Sequence, residues 1–424
     1  MEKTEGARRA AAGAGASAAE PAWLAALRGS ARERFETMSW PTPQDEEWRR
    51  TDITTLDVDG YRLVSPAGGA AAHAAGVPEG FAGVLRFRGG SLAEASIRPD
   101  LAAKGVLFAS LVGPHNGLAS RLESVLRASL ERADNRLIAW HYQSITHGAL
   151  LQVPQFLEVA EPFLVEFEEA GEGALSMPHV TVMLETGARA VVATRIVSGP
   201  ADRLLCNAAL EIVVGDAAKL QYFEEQGLSG GSTFFSHGVA SVGRDAELLH
   251  FAASLGSHLA KTRLDCTLAG LGGTVNLNGV YFAAGRQHMD LRTVQHHKAG
   301  SSYSRSFYKG AVKDEARTVY QGLIEVMPTA PKTDAYLTNR NLILNDGARA
   351  DSIPGLRINQ DDVRCSHGST TGRIDPTQLF YLATRGLSPR EAAQVLVVAY
   401  FQELVDQMPE FMREPILREL EARA

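Results

Sequence analysis

From His147 to Val363 the chain is a succession of short β-forming runs, and no convincing amphipathic helix interrupts them. The runs 150–153, 163–167, 180–184, 190–196, 210–214 and 220–223 are the first, and others follow through Phe251, Leu264, Val280, Phe307, Val319 and Leu342. They are rich in β-branched and aromatic residues and are separated by Gly, Asn, Asp or Pro, the usual punctuation of strands. A doubly wound α/β fold is excluded, because parallel strands of an open sheet need crossover helices. Sandwich, barrel, propeller and solenoid remain. The stretch is long for one sandwich and shows no WD-like or kelch-like period. A β-helix stacks short strands with variable turns and needs no strict repeat, so it is the expected core, with a double-sheet β fold next.

Both flanks read as helical, giving four expected parts: a tail 1–20, an N-terminal helical region 21–146, a β-helix core 147–367 and a C-terminal helical domain 368–424. In the first flank Trp23, Leu24, Leu27 and Phe35 begin one amphipathic segment. Leu118, Leu122, Val125, Leu126 and Leu130 form the stripe of another. The Gly- and Ala-rich stretch 65–84 reads as loop. In the second flank Asp375-Pro376 and Ser388-Pro389-Arg390-Glu391 are helix-start signals, and Gly386 is a left-handed stop. Ala392, Val395, Leu396, Ala399 and Leu404 are expected to form one apolar stripe, either capping the solenoid or docking a partner.

Composition removes several functions. A net charge of −7 lacks the basic footprint of a nucleic-acid-binding protein. No run of 18 or more apolar residues could span a bilayer. The Ala-rich start is too weakly apolar for a secretory signal, so a disordered tail and a cytoplasmic protein are expected. Cys206, Cys266 and Cys365 make no disulfide framework, and without a C-x-x-C there is no complete zinc or cluster site. The chain also lacks a phosphate loop, a dinucleotide fingerprint and a nucleophile elbow, so it is not expected to be an enzyme.

The candidate metal-binding pair is Cys365 and His367. Residues i and i+2 of a strand face the same side, about 6.6 Å apart. Thiolate and imidazole both ligate iron or zinc. Two donors are half of what a cluster takes, so other ligands must come from another chain. Taken alone, a structural cysteine beside a hydrogen-bonded histidine is the commoner meaning of such a pair. His296-His297 points to opposite faces and cannot chelate. The polar groups around it, His288, Asp290, Arg292, Lys298, Arg305, Lys309, Asp314 and Arg317, read as solvated charges on a solenoid face, with a partner surface as the alternative. Cys206 and Cys266 read as inert core thiols.

Ordered blocks in the C-terminal half resemble the SufB/SufD family of iron–sulfur cluster assembly proteins. They are His297-Lys298-Ala299, Tyr308-Lys309-Gly310, Asp314-Glu315-Ala316-Arg317 and Gln321-Gly322, then residues 338–344, 348–354 and 378–382, and Arg385-Gly386. Residues 46–52, Glu-Glu-Trp-Arg-Arg-Thr-Asp, are also similar. Cys365-Ser366-His367-Gly368 stands where the SufB branch has Glu-His-Glu, so the chain is most like SufD. The resemblance implies a right-handed parallel β-helix between helical regions. It implies a heterodimer with a SufB-like subunit and a SufC-like ABC ATPase docked on the C-terminal helices. A transient iron–sulfur cluster would be shared with the partner, with no cofactor bound by this chain alone. It assigns His367 to the cluster site, leaves Cys365 less certain, and points to the region of Tyr381, Val395 and Leu396 for ATPase docking. The alternatives are a SufB-like homodimeric scaffold, a β-helix carbohydrate-active enzyme, or an interaction protein without a metal role.

Overall fold

The computed structural model describes residues 20–64, 76–113, 115 and 117–424; the expected tail and most of the Gly- and Ala-rich stretch lie outside the described residues. From His147 to Arg373 the chain winds as a parallel β-solenoid of about eight turns. Each turn lays one strand on an eleven-stranded sheet and the next on a ten-stranded sheet facing it. Strands two apart in sequence are neighbours in space and parallel. Leu259–Leu268, for example, pairs with His288–His297 and Tyr303–Val312 with Thr333–Ile343.

Because the register is unbroken, alternate side chains stack in columns inside the coil. Val214, Val242, Leu268, His297 and Val326 form one such column, and all are buried. Burying aliphatic side chains on like neighbours at every turn is the main source of stability, at roughly 1.5–3 kcal/mol per large side chain.

A second regularity lies along one edge. Phe156, Gly187, Ala217, Asp245, Gly272, Ser301 and Lys332 all adopt left-handed backbone, with φ of 54–73°. The amide of each donates to a carbonyl of the next turn at 2.6–3.2 Å, from Phe156 to Thr186 through to Lys332 and Asp362. One conformation thus recurs once per turn with almost any side chain. Each non-glycine residue there bears a cost of about 1 kcal/mol, which the continuous amide ladder offsets.

The N-terminal region contains helices α1 (Ala22–Thr37), α2 (Pro99–Ala103), α3 (Ala119–Glu131) and α4 (Arg136–Gln143). Most of the expected stripe residues are buried: Trp23, Leu24 and Leu27 meet Leu122, Leu126, Leu130 and Tyr142, while Leu118 and Val125 are half-buried at the margin. The region is not only helix and loop. Gly83–Arg88, Ser91–Ile97 and Leu107–Ser110 are strands that extend both sheets of the solenoid at its first turns.

At the other end the last strand runs to Arg373, five residues past the expected boundary at Gly368. Three helices follow: α5 (Pro376–Thr384), α6 (Pro389–Val405) and α7 (Glu410–Arg423). Asp375 caps α5 by accepting from the Thr377 amide, and Ser388 and Glu391 form a reciprocal capping box on α6. Gly386, at φ 94°, ends α5 as expected.

The buried face of α6 is Ala392, Val397, Phe401, Leu404 and Val405, which keeps Ala392 and Leu404 of the expected stripe but not its other members: Val395 and Ala399 are exposed and Leu396 is half-buried. The solenoid flank selects this face, since α6 and α7 lie on the outer side of the ten-stranded sheet against Phe251, Val280, Phe282 and Ala311. Lys309 fixes the contact, donating to Glu403 at 2.7 Å and to the Tyr400 carbonyl at 2.8 Å. Among the described residues no helix is long and apolar enough to cross a membrane.

Candidate functional site

The C-terminal end of the solenoid is open. Interior-facing positions of the last two strands lie over buried residues but, among the described residues, have no turn above them. On Arg349–Ile358, Leu356 stacks over Ile324 and Ile358 over Val326; the lower residues are fully buried, whereas Leu356 and Ile358 are 39% and 37% exposed. On Val363–Arg373, Cys365 lies over buried Ala335 and His367 over buried Leu337. Both therefore continue interior columns of the coil. Cys365 is half-buried against the last core residues, and His367 is exposed.

The strand Val363–Arg373 pairs on one side only, with Thr333–Ile343, so its other edge is unpaired among the described residues. An unpaired edge beside an uncovered apolar core is a template for another chain. Burial raises the Cys365 thiol above its ordinary range, and Asp334 adds to this, so the free chain holds it as thiol. A metal or a cationic neighbour would be needed to ionise it. Among the described residues there is no group of three or more His, Cys, Asp or Glu that could hold a metal ion. What the end offers a cluster is at most one imidazole and one thiol, displayed toward whatever covers it.

Tyr381, Val395 and Leu396 are on α5 and α6, not on the strand that carries this pair. No residue of α5 is buried; Phe380 is 71% and Tyr381 56% exposed, and Val395 on α6 is 48% exposed. The α5–α6 pair thus presents an apolar surface that the solenoid leaves uncovered.

The other thiols are core residues. Cys206 and Cys266 are fully buried inside the coil, and burial pushes both thiols well up. His296 and His297 do face opposite ways. His296 lies 2.6 Å from Glu325 on the outside, and His297 is enclosed between Ser302 and Ser304.

The polar set around them needs correction, because several members are not solvated charges. Asp290 is fully buried and receives Lys261 at 2.7 Å and Thr51 at 2.5 Å; Gln321 adds a contact at 3.2 Å. Arg292 and Arg263 reach Glu47, each at 3.0 Å, and Lys261 also donates to the Glu47 carbonyl. Trp48 lies under Lys261, 4.7 Å from ring centre to nitrogen. The block 46–52 is therefore a strap fastened across the eleven-stranded sheet by charges more than 200 residues away. Sequence reasoning missed this pairing; the only signal was that acidic, aromatic and hydroxyl residues in the block match cationic and acidic residues on alternate strand positions.

The interior holds a second polar device. Tyr281 donates to Asn341 at 2.6 Å and accepts from Asn339 at 2.8 Å, while Asn341 donates to Asn339, closing a buried triangle across three strands.

Comparisons with known proteins agree with this architecture. Residues 167–400 match the family model described as SUF system FeS cluster assembly, SufBD core domain. A SufBD-family iron–sulfur cluster assembly protein of Mycobacterium tuberculosis is 34% identical over 281 residues, covering 64% of this chain and 69% of the relative. The iron–sulfur cluster assembly protein SufD of Escherichia coli is 32% identical over 286 residues, 66% and 67% of the two chains. SufD of Bacillus subtilis is 25% identical over 399 residues, 92% and 91% of the two chains. An open-ended parallel solenoid carrying Cys365 and His367, with this match across more than half its length, belongs to the SufB/SufD family of SUF-system iron–sulfur cluster assembly proteins.

Proposed function

We propose that this chain is a SufD-type scaffold subunit, not an enzyme, that pairs through the open end of its solenoid with a SufB-like subunit and holds one side of a nascent iron–sulfur cluster. The observation that carries the reading is the exposed His367, stacked over buried Leu337 on an unpaired terminal strand. A partner that covers Leu356 and Ile358 would bring its own donors against His367, and Cys365 is the secondary candidate. The cluster is cargo here. Two donors from one chain hold it too weakly to trap it, so separating the subunits would release it. The apolar surface of Phe380, Tyr381 and Val395 is the proposed seat of a SufC-like ABC ATPase, whose motion would reach the solenoid through α6 and the Lys309–Glu403 contact.

The test is His367→Ala in the reconstituted three-component complex. Cluster formation, followed by visible absorbance, should fall while the complex still assembles and the isolated chain melts as before. Normal cluster build-up would refute the assignment. If no SufB-like chain co-purifies and the protein instead forms a homodimer that builds clusters, the SufB-like alternative is correct.

A further inference from the structure

The junction between α4 and the eleven-stranded sheet encloses a line of four polar side chains. His141 and Tyr142 come from α4, His179 from the strand Pro178–Leu184, and Glu211 from its neighbour Leu204–Val214. All four are buried. His141 Nδ1 lies 2.7 Å from the Asn207 carbonyl oxygen, and its Nε2 lies 2.9 Å from His179 Nδ1. His179 Nε2 then meets one carboxylate oxygen of Glu211, and Tyr142 donates to the other. The two atoms that meet between His179 and Glu211 are bonded to nothing else among the described residues.

A count of hydrogens along the line fixes its protonation. A carbonyl only accepts, so neutral His141 donates from Nδ1 and accepts at Nε2 from His179 Nδ1. Neutral His179 then turns a lone pair toward Glu211, and a carboxylate has only lone pairs to offer in return. Four contacts need four hydrogens, whereas two neutral imidazoles and one phenol bring three. The fourth is a bound proton between His179 and Glu211. Burial holds the His141 ring well below its ordinary range, which keeps the extra proton off that ring. With the proton the line carries no net charge; without it an unpaired carboxylate is enclosed in the protein. The nearby pair His147 and Glu169 needs no such proton, because the Thr146 hydroxyl supplies His147 Nδ1 while Nε2 donates to Glu169 at 3.0 Å. The other groups facing the line do not supply it either. Arg263 is spent on Asp265, Asp134 and Glu47, and Arg28 of α1 on Glu20 and the Ile145 carbonyl. Ser129 of α3 reaches Tyr142, and the ring nitrogens of buried His237 bond to nothing among the described residues.

We infer that this line is a proton-locked latch: α4 seats on the solenoid with one proton bound between His179 and Glu211, and loss of that proton at alkaline pH loosens the N-terminal helices. The sign follows from the proton count. Unfolded, the two histidines and the glutamate titrate at about 6.5 and 4.3, so together they hold about one proton at pH 6.5 and almost none above pH 8. The folded line keeps its one. Stability therefore falls as pH rises above about 6.5, approaching a tenfold loss in the folding constant per pH unit. The latch lies several strands from the open end and stands without the scaffold reading.

Glu211→Gln is the decisive variant, because its carboxamide brings the fourth hydrogen covalently and still accepts from Tyr142. Urea unfolding of the full chain between about pH 7.5 and 9 should show the parent losing about tenfold per pH unit relative to the variant. Hydrogen exchange places the effect: the opening constant of the α4 amides should rise by about tenfold per pH unit in the parent, beyond the chemical exchange rate, and stay flat in the variant. Parallel pH profiles for the parent and Glu211→Gln overturn the inference. If the variant does not fold, the parent alone decides, since α4 amides that follow only the chemical rate overturn it equally.

Discussion

Gly310 sits on the strand between Tyr281 and Asn341, and all three occupy one interior column of the solenoid. To reach the asparagine two strands away, the Tyr281 ring must pass directly over residue 310. A Cβ at that position would lie 2.0 and 2.3 Å from Tyr281 Cε2 and Cζ. Carbon atoms rest at about 3.5–4.0 Å, so Gly310→Ala requires the ring to move by roughly 1.5 Å. Such a shift breaks the bonds to Asn341 and Asn339 at 2.6 and 2.8 Å, stranding fully enclosed polar groups. Overpacking costs about 1–3 kcal/mol and each of the two orphaned partners about 1–3 kcal/mol, which together give roughly 3–9 kcal/mol. Urea unfolding followed by circular dichroism measures this in the isolated chain. Two further variants, Tyr281→Ala and the double variant, complete a cycle. With the ring gone the alanine meets no obstacle, so the double variant should be little worse than Tyr281→Ala alone. A cost below about 1 kcal/mol for Gly310→Ala, or simple additivity in the cycle, refutes the crossing-ring account.

Three other outcomes follow from the same geometry. Lys261→Met leaves Asp290 buried without its cation, and should destabilise by about 3–5 kcal/mol and open the chain before Tyr61 to limited proteolysis; unchanged proteolysis would mean the strap is held by other contacts. Phe401→Ala removes the side chain facing Phe282 and should cost about 3–5 kcal/mol, seen as early melting of the C-terminal helices by hydrogen exchange; uniform exchange across them counts against it. Glu224 faces the interior beside cavities of about 30 and 20 Å³, and burial raises its carboxyl to about 7 from 4.5. Its folded pKa lies above the unfolded one, so stability should fall as pH rises from 4.5 to 7 and level off above; the side chain is 33% exposed, which screens this to about 1–2 kcal/mol. Glu224→Gln should abolish that slope in urea titrations at pH 5 and pH 8, and a persisting slope assigns it elsewhere.

The core was legible because a long run of β-formers without crossover helices leaves few architectures, and because period-two alternation is local. Helix starts at Asp375 and Ser388 were legible for the same reason: a cap and its amide are neighbours in sequence. The shared face of Cys365 and His367 also needed only the pleat of one strand.

What sequence could not supply depends on distant contacts. Nothing in Val395 or Ala399 says that the solenoid flank will choose Val397, Phe401 and Leu404, since several faces of α6 are apolar and the selecting surface is over 80 residues away. The turn period stayed hidden because left-handed backbone is carried by Phe, Ala, Asp, Ser and Lys as well as Gly, held by amides of the next turn. Asp290 and Lys309 resembled ordinary surface charges until the strap and α6 covered them. The exposure of His367 was decided last of all: its strand is chemically like those before it, and only the absence of another turn above it among the described residues turns an interior column into a surface. Local pattern was enough for the solenoid and the pair of donors; which residues are buried and which are offered came from long-range packing, because burial is a property of what lies across the space rather than along the chain.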